Sequence, residues 1–134
     1  MAIQYAISLI NTRLDNIETA AGNSPLFRFY TGGMPANCAA AATGTKLSED
    51  ALPSDWMGNA SAGVKAKAGT WTLNGIAAGT AGYFRILDSG AAATYIQGTV
   101  TATGGGGDMT LDNAVIANTQ VITVNTFTIT GGNA

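Results

Sequence analysis

Apolar residues near the start of the chain recur every three or four positions: Ile3, Ile7, Ile10, Leu14, Ile17 and Ala21. That spacing predicts an amphipathic helix over 2–21, with Arg13, Asp15, Asn16 and Glu18 off the apolar stripe. Gly22 suits the position just past a helix end, and Pro25 forbids continuation. The stripe is narrow, as in a helix that lies on another helix or in a groove. Two roles fit it: a cap on the chain's own sheet, or an arm that docks on a neighbouring subunit.

Beyond Pro25 the period changes. "LFRFYT" (26–31) is short and aromatic-rich, which predicts a strand. "GGMP" breaks it, and "ANCAAAATGT" (36–45) has no period and reads as loop or a weak edge strand. "KLSEDAL" (46–52) reads as a half-exposed strand anchored by Leu47 and Leu52. "PSDW" (53–56) is a turn that folds Trp56 back onto the core. "VKAKAGTWTL" (64–73) alternates, placing Val64, Ala66 and Ala68 on one face and Lys65 and Lys67 on the other. "GYFRILD" (82–88) is a strand, "DSG" a hairpin turn, and "TYIQGTVTAT" (94–103) the antiparallel partner. "QVITVNTFTIT" (120–130) reads as a strand whose inward phase switches near Asn125 and Thr126, as at a bulge or a crossing between sheets. The predicted fold is mainly β: a β-sandwich, jelly-roll-like, of short antiparallel strands preceded by one N-terminal amphipathic helix. The division falls at 22–25, giving a helical arm over 1–22 and a sandwich body over 23–134.

Composition narrows the function. In 134 residues only 10% are charged, the formal net charge is −2, and the six cations are scattered. Nucleic-acid binding through clustered Lys and Arg is therefore not expected. No apolar run reaches the length of a membrane helix, and no cation precedes Arg13 as in a signal peptide. The expectation is a protein without membrane attachment, made in a cytoplasm. There is no histidine, which removes the commonest general base and metal ligand. The single cysteine, Cys38, sits among alanines and reads as a small buried residue.

"TATGGGGDMTLDN" (101–113) is the one stretch that resembles a ligand loop. A phosphate loop needs a lysine where Asp108 follows Gly107, and a dinucleotide loop needs a helix where a strand follows. Asp108, Asp112 and Asn113 offer oxygens to calcium, but the spacing of a calcium loop is absent. The simplest reading is a glycine bend between strands, mobile until something binds it, with Asp112 and Asn113 in the next turn. No metal is expected, Asp108 and Asp112 being the nearest to candidates, and no cofactor. None of the eight acids lies in an apolar run that would raise its pKa, so no enzyme is expected. Tyr30, Trp56, Trp71, Tyr83 and Tyr95 would be the stacking surfaces of a sugar site, but read more simply as core.

The segments "LINTRLDNIETAAGNSP", "GGMPANCAAAATGT", "LPSDWM", "AGTAGYFRILDSG", "IQGTVTATGGGGDMTLDN" and "VNTFTITGGNA" together resemble a family of small virion-associated proteins of tailed bacteriophages and prophages. The resemblance spans nearly the whole chain, in turn and strand signatures rather than catalytic ones. It implies a structural virion protein with a β-sandwich body and no catalytic residues. Within the particle, a capsid decoration or cement protein on the head is the expected role. The alternative is a tail adaptor or fibre module that binds host glycan or protein. The expected partners are the phage major capsid protein and further copies of the chain, a trimer preferred. The expected location is the virion head surface, assembled in the host bacterial cytoplasm. The helix stripe Ile3, Ile7, Ile10, Leu14 and Ile17 is the expected assembly contact.

Overall fold

A computed structural model describes residues 3–132 of the chain. Ala2, at the start of the expected helix, and the final Asn133 and Ala134 lie outside the described residues. Helix α1 spans Ile7–Ala21, so it begins later than the stripe implies. Ala6 at its N-cap offers no side-chain oxygen, and its first turn holds no acidic residue. The helix forms where its stripe has a surface to lie on, since packing supplies most of a helix's stability in a protein. Ile10, Leu14 and Ala21 are buried, whereas Ile3 is largely exposed and Ile7, beside Gly63, is partly so. The chain leaves the helix at Gly22, whose N–H donates to Glu18 O (2.8 Å).

Among the described residues ten strands follow: β1 (Leu26–Thr31), β2 (Asp50–Ala51), β3 (Val64–Ala66), β4 (Trp71–Asn74), β5 (Gly79–Leu87), β6 (Thr94–Ala102), β7 (Met109–Leu111), β8 (Val115–Ile116), β9 (Val121–Val124) and β10 (Thr128–Thr130). The main sheet runs β2-β1-β5-β6-β7, with β8 paired to the start of β5. Two short antiparallel pairs, β4–β9 and β3–β10, complete the β framework. The fold is mainly β and sandwich-like, with one N-terminal helix.

One apolar core joins these sheets. β1 and β5 contribute Phe27, Phe29, Phe84 and Ile86, and the β4–β9 pair contributes Trp71, Leu73, Ile122 and Val124. Phe27 and Phe84 stack at 5.5 Å, and Phe127 meets Trp71 at 5.6 Å. Leu47 and Leu52 anchor their segment as expected. Trp56 is fully buried, and its Nε1 donates to Gly22 O (3.1 Å), tying the helix end to the core.

Three expectations change in detail. The 120–130 segment is two strands: β9 pairs with β4, β10 pairs with β3, and the expected phase switch is the crossing between them. The 64–73 segment is also two strands, and its first half is inverted. Lys65 points inward and is fully buried, while Val64 and Ala66 face out. Lastly, not every pairing is antiparallel, because β6 and β7 run parallel, Val100 opposite Met109.

That parallel return explains the glycine run. Parallel neighbours ordinarily need a crossover of a dozen or more residues. Here residues 103–108 suffice, with Gly104 and Gly106 at φ 89° and 80°, values that side-chain-bearing residues rarely adopt. The bend is tied down by its neighbours. Gly107 N–H donates to Thr101 Oγ1 (3.0 Å), and Asp108 Oδ2 accepts from the N–H and hydroxyl of Thr99 (2.8 and 3.0 Å). It is a bend between strands, as read, but an internally bonded one.

Candidate interaction surface

The helix stripe, expected as one assembly contact, is divided by the fold. Ile10 and Leu14 are buried against the chain's own body, and Ile17 packs on the edge of the core. Ile10 and Leu14 are therefore not presented to a partner, which corrects the expectation for these two residues, while Ile17 stays half-buried. The seat is close: Gly131, just after β10, carries no side chain where Ile10 and Leu14 press on it, and any Cβ there would collide with Ile10. The helix is thus packed on the body along Ile10 and Leu14.

A polar stripe beside the apolar one locks the helix in place. Asn11, Asp15 and Glu18 are spaced i, i+4, i+7, so they share a face. Each accepts from the backbone of the 57–63 segment: Asn11 from Gly63 N–H (2.9 Å), Asp15 from Ala60 N–H (2.8 Å), and Glu18 from Met57 N–H (3.2 Å). Lys65 completes the lock. Its Nζ donates to Asp15 Oδ1 (2.8 Å), Glu18 Oε2 (2.7 Å) and Gly58 O (2.8 Å). All three ammonium hydrogens therefore have acceptors, which is what makes full burial of a lysine tolerable. It also explains the inversion of β3, since the carboxylates lie on the inner side.

The charges respond accordingly. Burial pulls the Lys65 ammonium down, but its bonds to Glu18 and Asp15 more than offset this and leave it raised. Asp15 is held below the usual carboxylate value, first by Lys65 and then by the Ala60 N–H. The periodicity of Ile10, Leu14 and Ile17 is legible in the sequence, but the role of Asp15 and Glu18 is not. The available signal was the i, i+4, i+7 spacing of Asn11, Asp15 and Glu18, taken with a lysine inside a short strand.

The other half of the stripe is exposed. Ile3 is 70% exposed and Ile7 43%, and beside them lie Leu9 at 47% and Tyr5 at 36%. The Arg13 guanidinium lies 5.1 Å from the centre of the Tyr5 ring, which orients this segment along the outer side of the helix. Val64, turned outward by the inversion of β3, is a further exposed apolar residue of the strand that packs on α1.

Other expected positions are accounted for as follows. Asp108 is bonded to Thr99, and Asp112 is exposed on the segment after β7. Among the described residues no three His, Cys, Asp or Glu side chains come together. Trp56, Trp71 and Tyr83 are fully buried and Tyr30 is nearly so, leaving Tyr95 as the exposed member of the aromatic set. Cys38, expected to be buried, is half-exposed in the loop that follows β1. No helix among the described residues is long and apolar enough to cross a membrane. No family model, curated protein or solved structure matches this chain.

Proposed function

We propose that this protein is a non-enzymatic structural component of a tailed-phage particle, a decoration or cement protein that binds the assembled head through its N-terminal segment. One observation carries the reading. Ile3, Tyr5, Ile7 and Leu9 lie exposed together in sequence at the start of a helix that is itself locked to the body. Four exposed large apolar residues within seven positions are an uncommon concentration for a protein surface and fit a segment that is covered by a partner. The sequence resemblance to virion-associated proteins points to the major capsid protein as the partner, and a trimer is the preferred oligomer because it fits a local threefold position of a symmetric shell. A protein that binds only the assembled shell stabilises it by its binding free energy, with no chemistry required. The tail-module alternative has less support, because the aromatics on which glycan stacking would rest are mostly buried.

The test is a cryo-EM map of the parent particle, with the chain located in it. Copies on the icosahedral lattice, contacting the coat through residues 3–9, support the reading, while a location at the tail or absence from the particle sinks it. A variant pair sharpens the result. The double change Ile3→Asp and Ile7→Asp leaves stability within about 0.5 kcal/mol of the parent, as for ordinary surface positions, but abolishes attachment to empty heads in co-sedimentation. Leu14→Asp places a charge in the helix seat and melts the body.

A further inference from the structure

The outer face of the main sheet is covered by a loop, residues 32–45. Three side chains of β5 and β6 hold it by its backbone. The Tyr83 hydroxyl donates to Thr43 O (2.6 Å) and accepts from Thr43 N–H (2.9 Å). Gln97 Nε2 donates to Pro35 O (2.8 Å). Arg85 Nη2 donates to Ala40 O (2.8 Å) and more loosely to Asn37 O (3.4 Å).

Arg85 is the exceptional member. It is only 4% exposed, and its Nε is buried with no acceptor. Among the described residues no carboxylate lies within ion-pair distance of it. Its cross-strand neighbour on β1 is another arginine, Arg28, which shares the single carboxylate of Glu49 with Lys46. The face therefore buries a cation that has carbonyl partners but no anion, where buried charges are ordinarily paired.

Arg85 also lines an open pocket of about 480 Å³, whose other walls include Cys38, Ala39, Ala40, Leu87, Ala92 and Ala93. In the turn between β5 and β6, Asp88 accepts from Ala92 and Ala93 N–H (2.8 and 3.2 Å). The backbone donors that would otherwise cradle a phosphate are thus taken. What the pocket offers is one guanidinium among small side chains and backbone.

We propose that this pocket is a carboxylate-binding site. A singly charged carboxylate on a short aliphatic stem pairs with Arg85 while its methylenes rest on the alanines. With Nη2 already bonded to the loop and Nε buried, Nη1 is the guanidinium donor left for such a charge-assisted bond. A phosphate dianion finds no second cation among the residues that line the pocket. A free small carboxylate and the acidic side chain of a partner protein present the same chemistry. The site does not depend on the virion role proposed above.

The test reads Arg85 directly. In ¹⁵N-labelled protein the Nε–H signals of Arg13, Arg28 and Arg85 are assigned with Arg13→Lys and Arg28→Lys. The protein is titrated with acetate and with N-acetylglutamic acid α-amide, and with phosphate and chloride at matched ionic strength. The expected result is a saturable shift at Arg85 with both carboxylates and a non-saturating drift with the other anions. Ala92→Leu, at an exposed wall position, fills the pocket and weakens the response roughly tenfold or more, with an unchanged melting temperature. Tighter response to the glutamate derivative assigns the site to a partner's acidic side chain, and equal responses assign it to free small carboxylates. No saturable shift at Arg85, an equal shift with phosphate, or a response that survives Ala92→Leu overturns the proposal.

Discussion

Lys65 and Arg85 are both buried cations on β-strands, and the fold treats them in opposite ways. Lys65 is ringed by two carboxylates and a carbonyl, and its burial fastens α1 to the body. Arg85 has carbonyls alone, from a loop, and keeps its charge uncompensated beside a pocket. Carbonyl oxygens satisfy donors but do not cancel a charge. The first arrangement is closed and structural; the second leaves capacity for an anion from outside. Burial by itself, then, does not separate a structural charge from a binding one. The source and charge of the acceptors does.

The largest test of this contrast is Lys65→Ala. It strands Asp15 and Glu18 against each other and is expected to cost about 3 kcal/mol in urea denaturation, the low end for a broken buried pair because both carboxylates keep some water. Amide exchange in α1 should quicken first. Arg85→Met removes a charge without stranding any anion. It is expected to cost about 1–2 kcal/mol, the loss of hydrogen bonds to Ala40 and Asn37, with faster exchange confined to the 32–45 loop. An Arg85→Met penalty as large as that of Lys65→Ala would break the comparison.

The smallest effect is pH dependence, which is opposite in sign for the two partners of the Lys65 lock. Asp15 titrates lower in the folded protein than in the unfolded chain, because Lys65 and then Ala60 N–H stabilise its charge. Its contribution is complete above about pH 4 and is lost as the pH falls through the lower folded value. Lys65 is raised, so its contribution persists through neutral pH and is lost only as the pH rises through its folded value in strong alkali. Glu49 is also lowered, by Lys46 and Arg28, and adds to the acid loss. Thermal melts should therefore be flat from about pH 5 to pH 9 and fall below about pH 4, with a smaller fall in Asp15→Asn. An acid fall of the same size in Asp15→Asn would remove the Lys65 lock from the account.

Much of the framework was legible in the residues alone. The period of Ile10, Leu14, Ile17 and Ala21 marked the helix, Gly22 and Pro25 its end, and "GYFRILD" with "TYIQGTVTAT" the central hairpin, β5 paired to β6. These signals are local: a repeat, a breaker, a turn. The phase change near Asn125 was also local, and it located the crossing from β9 to β10.

What failed to show was every feature that depends on a distant partner. Alternation placed Lys65 outward because a lysine alone in a core is costly, and only the folded arrangement reveals Asp15 and Glu18 some fifty residues away in sequence, waiting on the inner side. The stripe specified a helix but not which of its residues would be covered, since that follows from how far the body extends beneath it: fully under Ile10, only to the edge of Ile7, and short of Ile3. The loop over 32–45 has no period to read. Its place over Tyr83, Arg85 and Gln97 is set by side-chain bonds to its backbone carbonyls, and those groups are the same in every sequence. Local pattern thus determined which segments are helix and strand in this protein. Long-range hydrogen bonds and burial decided which face of each segment is inside, and so which charges lock the fold and which remain to meet a ligand.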